Sequence, residues 1–281
     1  MKKTLKCFAC LALALVMLCS IAIHPAAKKA GTSKESFNWY ISLNKEIKGS
    51  NINTIKDYKV IVIDAQNYSA SDIAALKKAG HTVYSYLNIG SVESNRYYFN
   101  RFKGLRLKTY ENWEDEYWVN VGKKKWRDFI VNTIAAKIAS KGVDGFWVDN
   151  CDVYEYNKKK SIYNGLVKIL KRLQKFHKKI TINGGDQFVT PLIKSGKKNL
   201  INGVVQEEVV TRITSYSGSG SFSNQRKDFK RYYENYFKKV KKAGLTVGVL
   251  EYTRSSGRRS EIRSYCKKKK YNFCIRSSIR I

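Results

Sequence analysis

Residues 142–154 read GVDGFWVDNCDVY, and this stretch decides the fold. Its middle, 145–148, is a short apolar strand without polar interruption. Asp149, Asn150 and Asp152 then arrive together where the strand ends. A helical pattern over 125–141 runs into it, with Trp126, Phe129, Ile130, Thr133, Ile134 and Ile138 at three- and four-residue spacing. An apolar strand delivering acids at its C-terminal end is how a (β/α)8 barrel presents reactive groups.

Working outward, the same pattern recurs. Apolar strands are expected at 38–43, 58–65, 81–90, 179–185, 202–210, 245–253 and 271–277. Helices are expected at 71–80 (capped by Ser69 or Ser71), 161–178, 225–242 and 257–269. Residues 97–116 form an irregular aromatic excursion, with 117–121 as a strand-like tail, and the Ser/Gly-rich 214–224 reads as a mobile loop. Strands alternating with helices imply a parallel sheet covered by helices. The expectation is an α/β fold, a single-domain (β/α)8 TIM-type barrel over 38–281.

The N-terminus reads differently. Lys2, Lys3 and Lys6 precede an apolar run over 7–23, and small residues follow at Ala26 and Ala27. This is the pattern of a secretory signal peptide, 1–27, with a short lead, 28–37, before the barrel. An uncleaved membrane anchor is the competing reading. Secretion to the cell exterior or envelope is expected.

Of the six cysteines, Cys151, Cys266 and Cys274 lie beyond the signal. Cys266 and Cys274 could pair, or all three could be buried thiols. No zinc spacing appears. The histidines are His24, His81 and His177, too few and too scattered for Ser-His-Asp chemistry or a histidine metal site. No cofactor and no metal are expected.

The net charge is +32, with 54 basic against 22 acidic residues. Most lysines read as ordinary solvated surface, but the sum favours anionic partners. For a secreted protein these would be anionic cell-envelope polymers. No nucleic-acid motif is present, and a monomer is expected.

Acids are scarce, so their placement is informative. Asp64, Glu93, Asp149, Asp152, Asp186, Glu207, Glu208 and Glu251 sit at or just past expected strand ends, which converge on one barrel face. Clustered carboxylates raise one another's pKa and supply a proton donor near neutrality. Two carboxyls suffice to hydrolyse a glycosidic bond. Trp39, Tyr86, Trp147, Tyr252 and Tyr216 could stack on sugar rings, or simply pack. Asn88, Asn150 and Asn183 could bond sugar hydroxyls, or simply turn the chain. Asp152 could instead cap a helix, Asp186 a loop, and Glu251 could pair with Arg254. Of Glu207 and Glu208, alternation points one into the barrel and one away.

At these motifs the chain resembles the endo-α-1,4-polygalactosaminidase-like proteins of glycoside hydrolase family 114. The resemblance runs over about 39–276 and rests on VIVIDA, VYSYLNIGSVE, EYWVNV, GVDGFWVDNCDVYE, TINGGDQ, VVQEE and VLEYT, in that order. It implies a TIM-type barrel, secretion, and endo-hydrolysis of α-1,4-linked galactosamine polymers. It also implies that Asp149 and Glu207 are the catalytic pair. Asp149 as nucleophile and Glu207 as acid/base is the hypothesis for their roles, and the separation of the two carboxyls decides between retaining chemistry, at roughly 5 Å, and inverting chemistry, at about 6.5–9.5 Å. Substrate-binding roles are expected for Asp64, Tyr86, Asn88, Glu93, Trp147, Asn150, Asp152, Asn183, Glu208, Glu251 and Tyr252. The chain departs from the pattern at Trp147, where some relatives carry an acid. A barrel that has lost activity and binds carbohydrate or envelope is the competing functional reading.

Overall fold

The computed structural model describes residues 35–281 apart from Asn112. The expected signal peptide and residues 28–34 of the lead lie outside the described residues. The last residues of that lead already belong to strand β1 (Glu35–Ser42). Strands β2 (Tyr58–Ile63) and β3 (Thr82–Asn88) follow, then β4 (Ser91–Glu93), β5 (Arg106–Tyr110) and β6 (Trp113–Val119). After them come β7 (Gly145–Asp149), β8 (Lys179–Asn183), β9 (Gly203–Glu207), β10 (Thr211–Ser215), β11 (Ser221–Asn224), β12 (Thr246–Tyr252) and β13 (Asn272–Arg276). Eight of these close a barrel in the order β1-β13-β12-β9-β8-β7-β3-β2. Every neighbouring pair in it is parallel. The expected strands are these eight, with ends displaced by a few residues. The fold is a (β/α)8 TIM barrel.

Alternation along each strand makes two apolar layers. On β7, Phe146 and Val148 face the helices, whereas Trp147 points into the barrel with Trp39, Tyr86, Val205 and Leu250. The outer layer includes Trp126, whose indole N–H donates to the Ile89 carbonyl at 2.8 Å, so its one polar atom is satisfied in the core. The helix Ala70–Lys78 starts with a capping box. Asp72 N donates to Ser69 Oγ, and Asp72 Oδ2 accepts from Ser69 N at 2.7 Å.

Four departures from expectation have physical causes. The 125–141 helix runs as Lys124–Phe129, a π-turn at Ile130–Ala135, and Ala136–Ser140. The widened turn shifts the phase, so Thr133 is exposed and Val131 is buried in its place. The helix Asp186–Lys194 was hidden in the sequence by Gly184 and Gly185 before it and Pro191 inside it. Residues 211–224 are an antiparallel hairpin, β10 with β11, rather than a loop. The excursion is likewise ordered: β4, β6 and β5 make a three-stranded antiparallel sheet over one edge of the barrel mouth. Among the described residues Cys151, Cys266 and Cys274 are all free and buried.

Candidate active site

The C-terminal ends of the barrel strands surround a cleft of about 600 Å³. Asp149 ends β7, Asn183 ends β8, Glu207 ends β9 and Tyr252 ends β12. All four line the cleft. The Asn183 amide spans the two acids: its Nδ2 donates to Asp149 Oδ1 at 3.1 Å and to Glu207 Oε1 at 2.7 Å. One amide nitrogen serving both acids brings the two carboxyl groups to the same point of the cleft. The Tyr252 hydroxyl donates to the other Glu207 oxygen at 2.6 Å. Burial, then the charges of Glu207 and Glu116, push Asp149 well above the usual carboxylate range. Burial raises Glu207 too, against the hydrogen bonds from Tyr252 and Asn183. Two buried carboxyls this close raise each other's affinity for a proton.

The residue after each acid is left-handed: Asn150 has φ 64° and Glu208 φ 58°. Asn tolerates this conformation; for Glu it costs about 1 kcal/mol. The kink turns each chain sharply at the point where the carboxyl enters the cleft. Glu208 Oε1 accepts from Ile213 N, and burial raises its carboxyl to about 6. Asp152 does not cap its own helix; its Oδ1 accepts from Gly185 N at 2.9 Å, and burial raises it to about 7. A Cβ on Gly184 would lie 2.8 Å from Asp152 Oδ2, so only glycine, at φ 62°, fits there.

Asp64 and Glu93 line the cleft but share one cation. Arg96 reaches Asp64 Oδ2 at 2.6 Å and Glu93 Oε1 at 2.8 Å, and its guanidinium lies over Tyr86. Tyr86 OH donates to Glu93 at 3.1 Å. Trp147 and Asn150 also line the cleft.

Two expected site residues stand apart. Glu251 is fully buried and does not line the cleft. Its oxygens accept from the backbone N–H groups of Val209, Val210 and Thr211 at 2.8–3.0 Å and from Thr211 Oγ1 at 2.6 Å. The reason is alternation: Leu250 and Tyr252 face the interior, so Glu251 faces out, and Arg254 bonds Ser219 and Gly220 instead. Asn88 also misses the cleft. Its amide donates to Glu116 at 2.9 Å and its carbonyl oxygen accepts from Ser91 N.

Glu116 is the residue that sequence reasoning missed. It comes from β6, in the excursion, and lines the cleft. Its Oε1 accepts from Asn88 Nδ2, from Asn150 Nδ2 at 2.7 Å and from Ser91 Oγ. Burial and the Glu93 charge raise it to about 7. The motif EYWVNV begins on Glu116, but with three acids in a row at 114–116 no local period tells which of them reaches the cleft before the sheet folds back. Glu116 holds Asn150, and its charge raises Asp149. Glu116→Gln should therefore shift the pH profile of kcat/KM toward lower pH, because the acid pair loses a repelling charge. A profile that stays in place would show that Glu116 is electrostatically silent.

Carboxyls gathered at the mouth of a parallel barrel, with the Asn183 amide between two of them, are of the kind glycoside hydrolases use. The chain belongs to glycoside-hydrolase family GH114, whose model matches residues 21–277. It is similar to the glycoside hydrolase domain of PelA from Pseudomonas aeruginosa, with TM-score 0.72 and 14% identity over 88% of this chain and 96% of that one. It is also similar to Aspergillus fumigatus Ega3, solved in complex with galactosamine, with TM-score 0.66 and 17% identity over 88% and 94% of the two chains. At those identities the likeness concerns the fold. A protein of Methanocaldococcus jannaschii, MJ1477, is 30% identical over 149 residues. That match covers 48% of this chain and 42% of the relative.

Proposed function

We propose that the protein is a secreted, monomeric endo-hydrolase of α-1,4-linked galactosamine-type polysaccharide, with residues 1–27 removed as a signal peptide. The observation that carries the reading is the Asn183 amide bridging Asp149 and Glu207. Two acids close enough to share one amide suit a retaining pair, about 5–5.5 Å apart, better than an inverting pair, about 6.5–9.5 Å apart to admit a water. Asp149 attacks the anomeric carbon. Glu207 protonates the leaving oxygen, then deprotonates the water that releases the sugar.

Glu207 accepts from two donors and Asp149 from one, so a proton shared by the pair rests more readily on Asp149. Sugar hydroxyls donating to Asp149, and a glycosidic oxygen accepting at Glu207, drive that proton to Glu207. Trp147 Nε1 and Asn183 Oδ1 are buried without partners at the same cleft, a donor and an acceptor suited to sugar hydroxyls. The galactosamine bound to Ega3 supports an amino-sugar substrate. A panel of amino- and N-acetylamino-glycans, followed by mass spectrometry, tests the substrate. Shortened α-1,4-galactosamine oligomers are expected, and an unchanged panel would refute the reading.

A further inference from the structure

The cations of this chain are sorted along the barrel axis. In a (β/α)8 barrel each helix runs back beside its strand and ends at the entrance to the next one, on the face away from the cleft. The described helices end there in lysine: Lys77 and Lys78 in Ala70–Lys78, Lys194 in Asp186–Lys194, Lys239 and Lys242 in Lys227–Lys242, and Lys267 to Lys269 in Ser256–Lys269. These side chains are exposed. Their last turns hold no acid. In the turns entering the described strands the acids are Asp57 and Asp144, and Asp144 is already held by Lys77 at 2.7 Å. The opposite end gathers Asp149, Asp152, Glu207 and Glu208 around the cleft.

A lysine or two at each helix end answers the helix dipole. The run 238–242 exceeds that need and places like charges side by side. It therefore favours an outside counter-charge. The lysines ring the barrel end; they do not follow a groove. A ring meets a plane normal to the barrel axis over its whole width, while one extended polymer chain would touch only one or two helix ends. Lysine's compact, hydrated ammonium suits a diffuse layer of phosphates better than a single bidentate site. Of the exposed aromatics among the described residues that could stack on nucleic-acid bases, Trp113, Tyr156 and Tyr232 belong to segments at the cleft end, and Phe37, near the start of β1, stands alone at the other.

We infer that the barrel end opposite the cleft docks on an anionic phospholipid surface and holds the cleft outward. Membrane-proximal lysines contribute additively and within a Debye length, so the contact is salt-sensitive. The test is sedimentation of the mature chain, residues 28–281, with vesicles of phosphatidylcholine alone or mixed with phosphatidylglycerol. Binding is expected only to the mixed vesicles, with roughly a tenfold loss or more on raising salt to about 0.5 M. The triple variant Lys239→Glu/Lys241→Glu/Lys242→Glu should weaken binding roughly tenfold or more. The triple Lys158→Glu/Lys159→Glu/Lys160→Glu makes the same charge change at the cleft end and should bind nearly as wild type. Circular dichroism confirms that both variants fold. Equal losses in the two triples would reduce the effect to net charge and overturn the inference. So would salt-insensitive binding, or capture by soluble polyphosphate or DNA with none by mixed vesicles.

Discussion

Asp149→Asn should lower the rate of glycan cleavage by about 10,000-fold or more while the protein keeps its fold. The substitution removes the attacking oxygen and little else. Asn183 can still donate to the new amide's oxygen, and a buried carboxyl raised by its neighbours is exchanged for a neutral group. The thermal midpoint should therefore stay level or rise. Glu207→Gln should cost about 100- to 10,000-fold, the range of a lost acid/base. Rates from mass-spectrometric product counts and midpoints from calorimetry check both statements. Activity within tenfold of wild type in either variant would remove that residue from the reaction.

Glu251→Ala should cost about 3–5 kcal/mol of stability, more than any substitution inside the cleft. The carboxylate takes the N–H groups of Val209, Val210 and Thr211 together with the Thr211 hydroxyl, all buried. Alanine would strand these donors without water. It would also release the turn that follows Glu207 and Glu208, so activity should fall with stability. Denaturant unfolding measures the loss. The pH dependence has a definite sign. Burial raises Glu251 from 4.5 to about 7, and buried Asp152 and Glu116 rise to about 7 as well. The native state then binds protons more tightly than the unfolded chain. The stability these groups supply is fully present below about pH 4.5 and is lost as pH rises through about 7. The thermal midpoint should be higher at pH 5 than at pH 8. A midpoint that rises over that span would contradict the burial account.

The barrel was legible because each of its strands is an apolar run of the right length, and GFWVD carries its acid at the end. The helix Asp186–Lys194 was not legible, since its glycines and Pro191 are ordinary signs of a loop. Position along a strand placed Asp149, Asn183, Glu207 and Tyr252 at one face. Parity would also have turned Glu251 outward, had it been counted from Leu250 and Tyr252. Glu116 and Arg96 lay beyond sequence reasoning. Glu116 belongs to the excursion and Arg96 directly precedes it; this part of the chain reaches the cleft only by folding back over the barrel mouth, and no local period records that contact.

The central claim is that Asp149 and Glu207, held by Asn183, act as a retaining pair on an α-linked galactosamine polymer. Proton NMR of the first sugar ends released tests it most directly, read before mutarotation mixes the anomers. The account predicts that the α-anomer appears first and the β-anomer only later. The β-anomer appearing first would contradict it, because water and not Asp149 would then have attacked the anomeric carbon of the substrate.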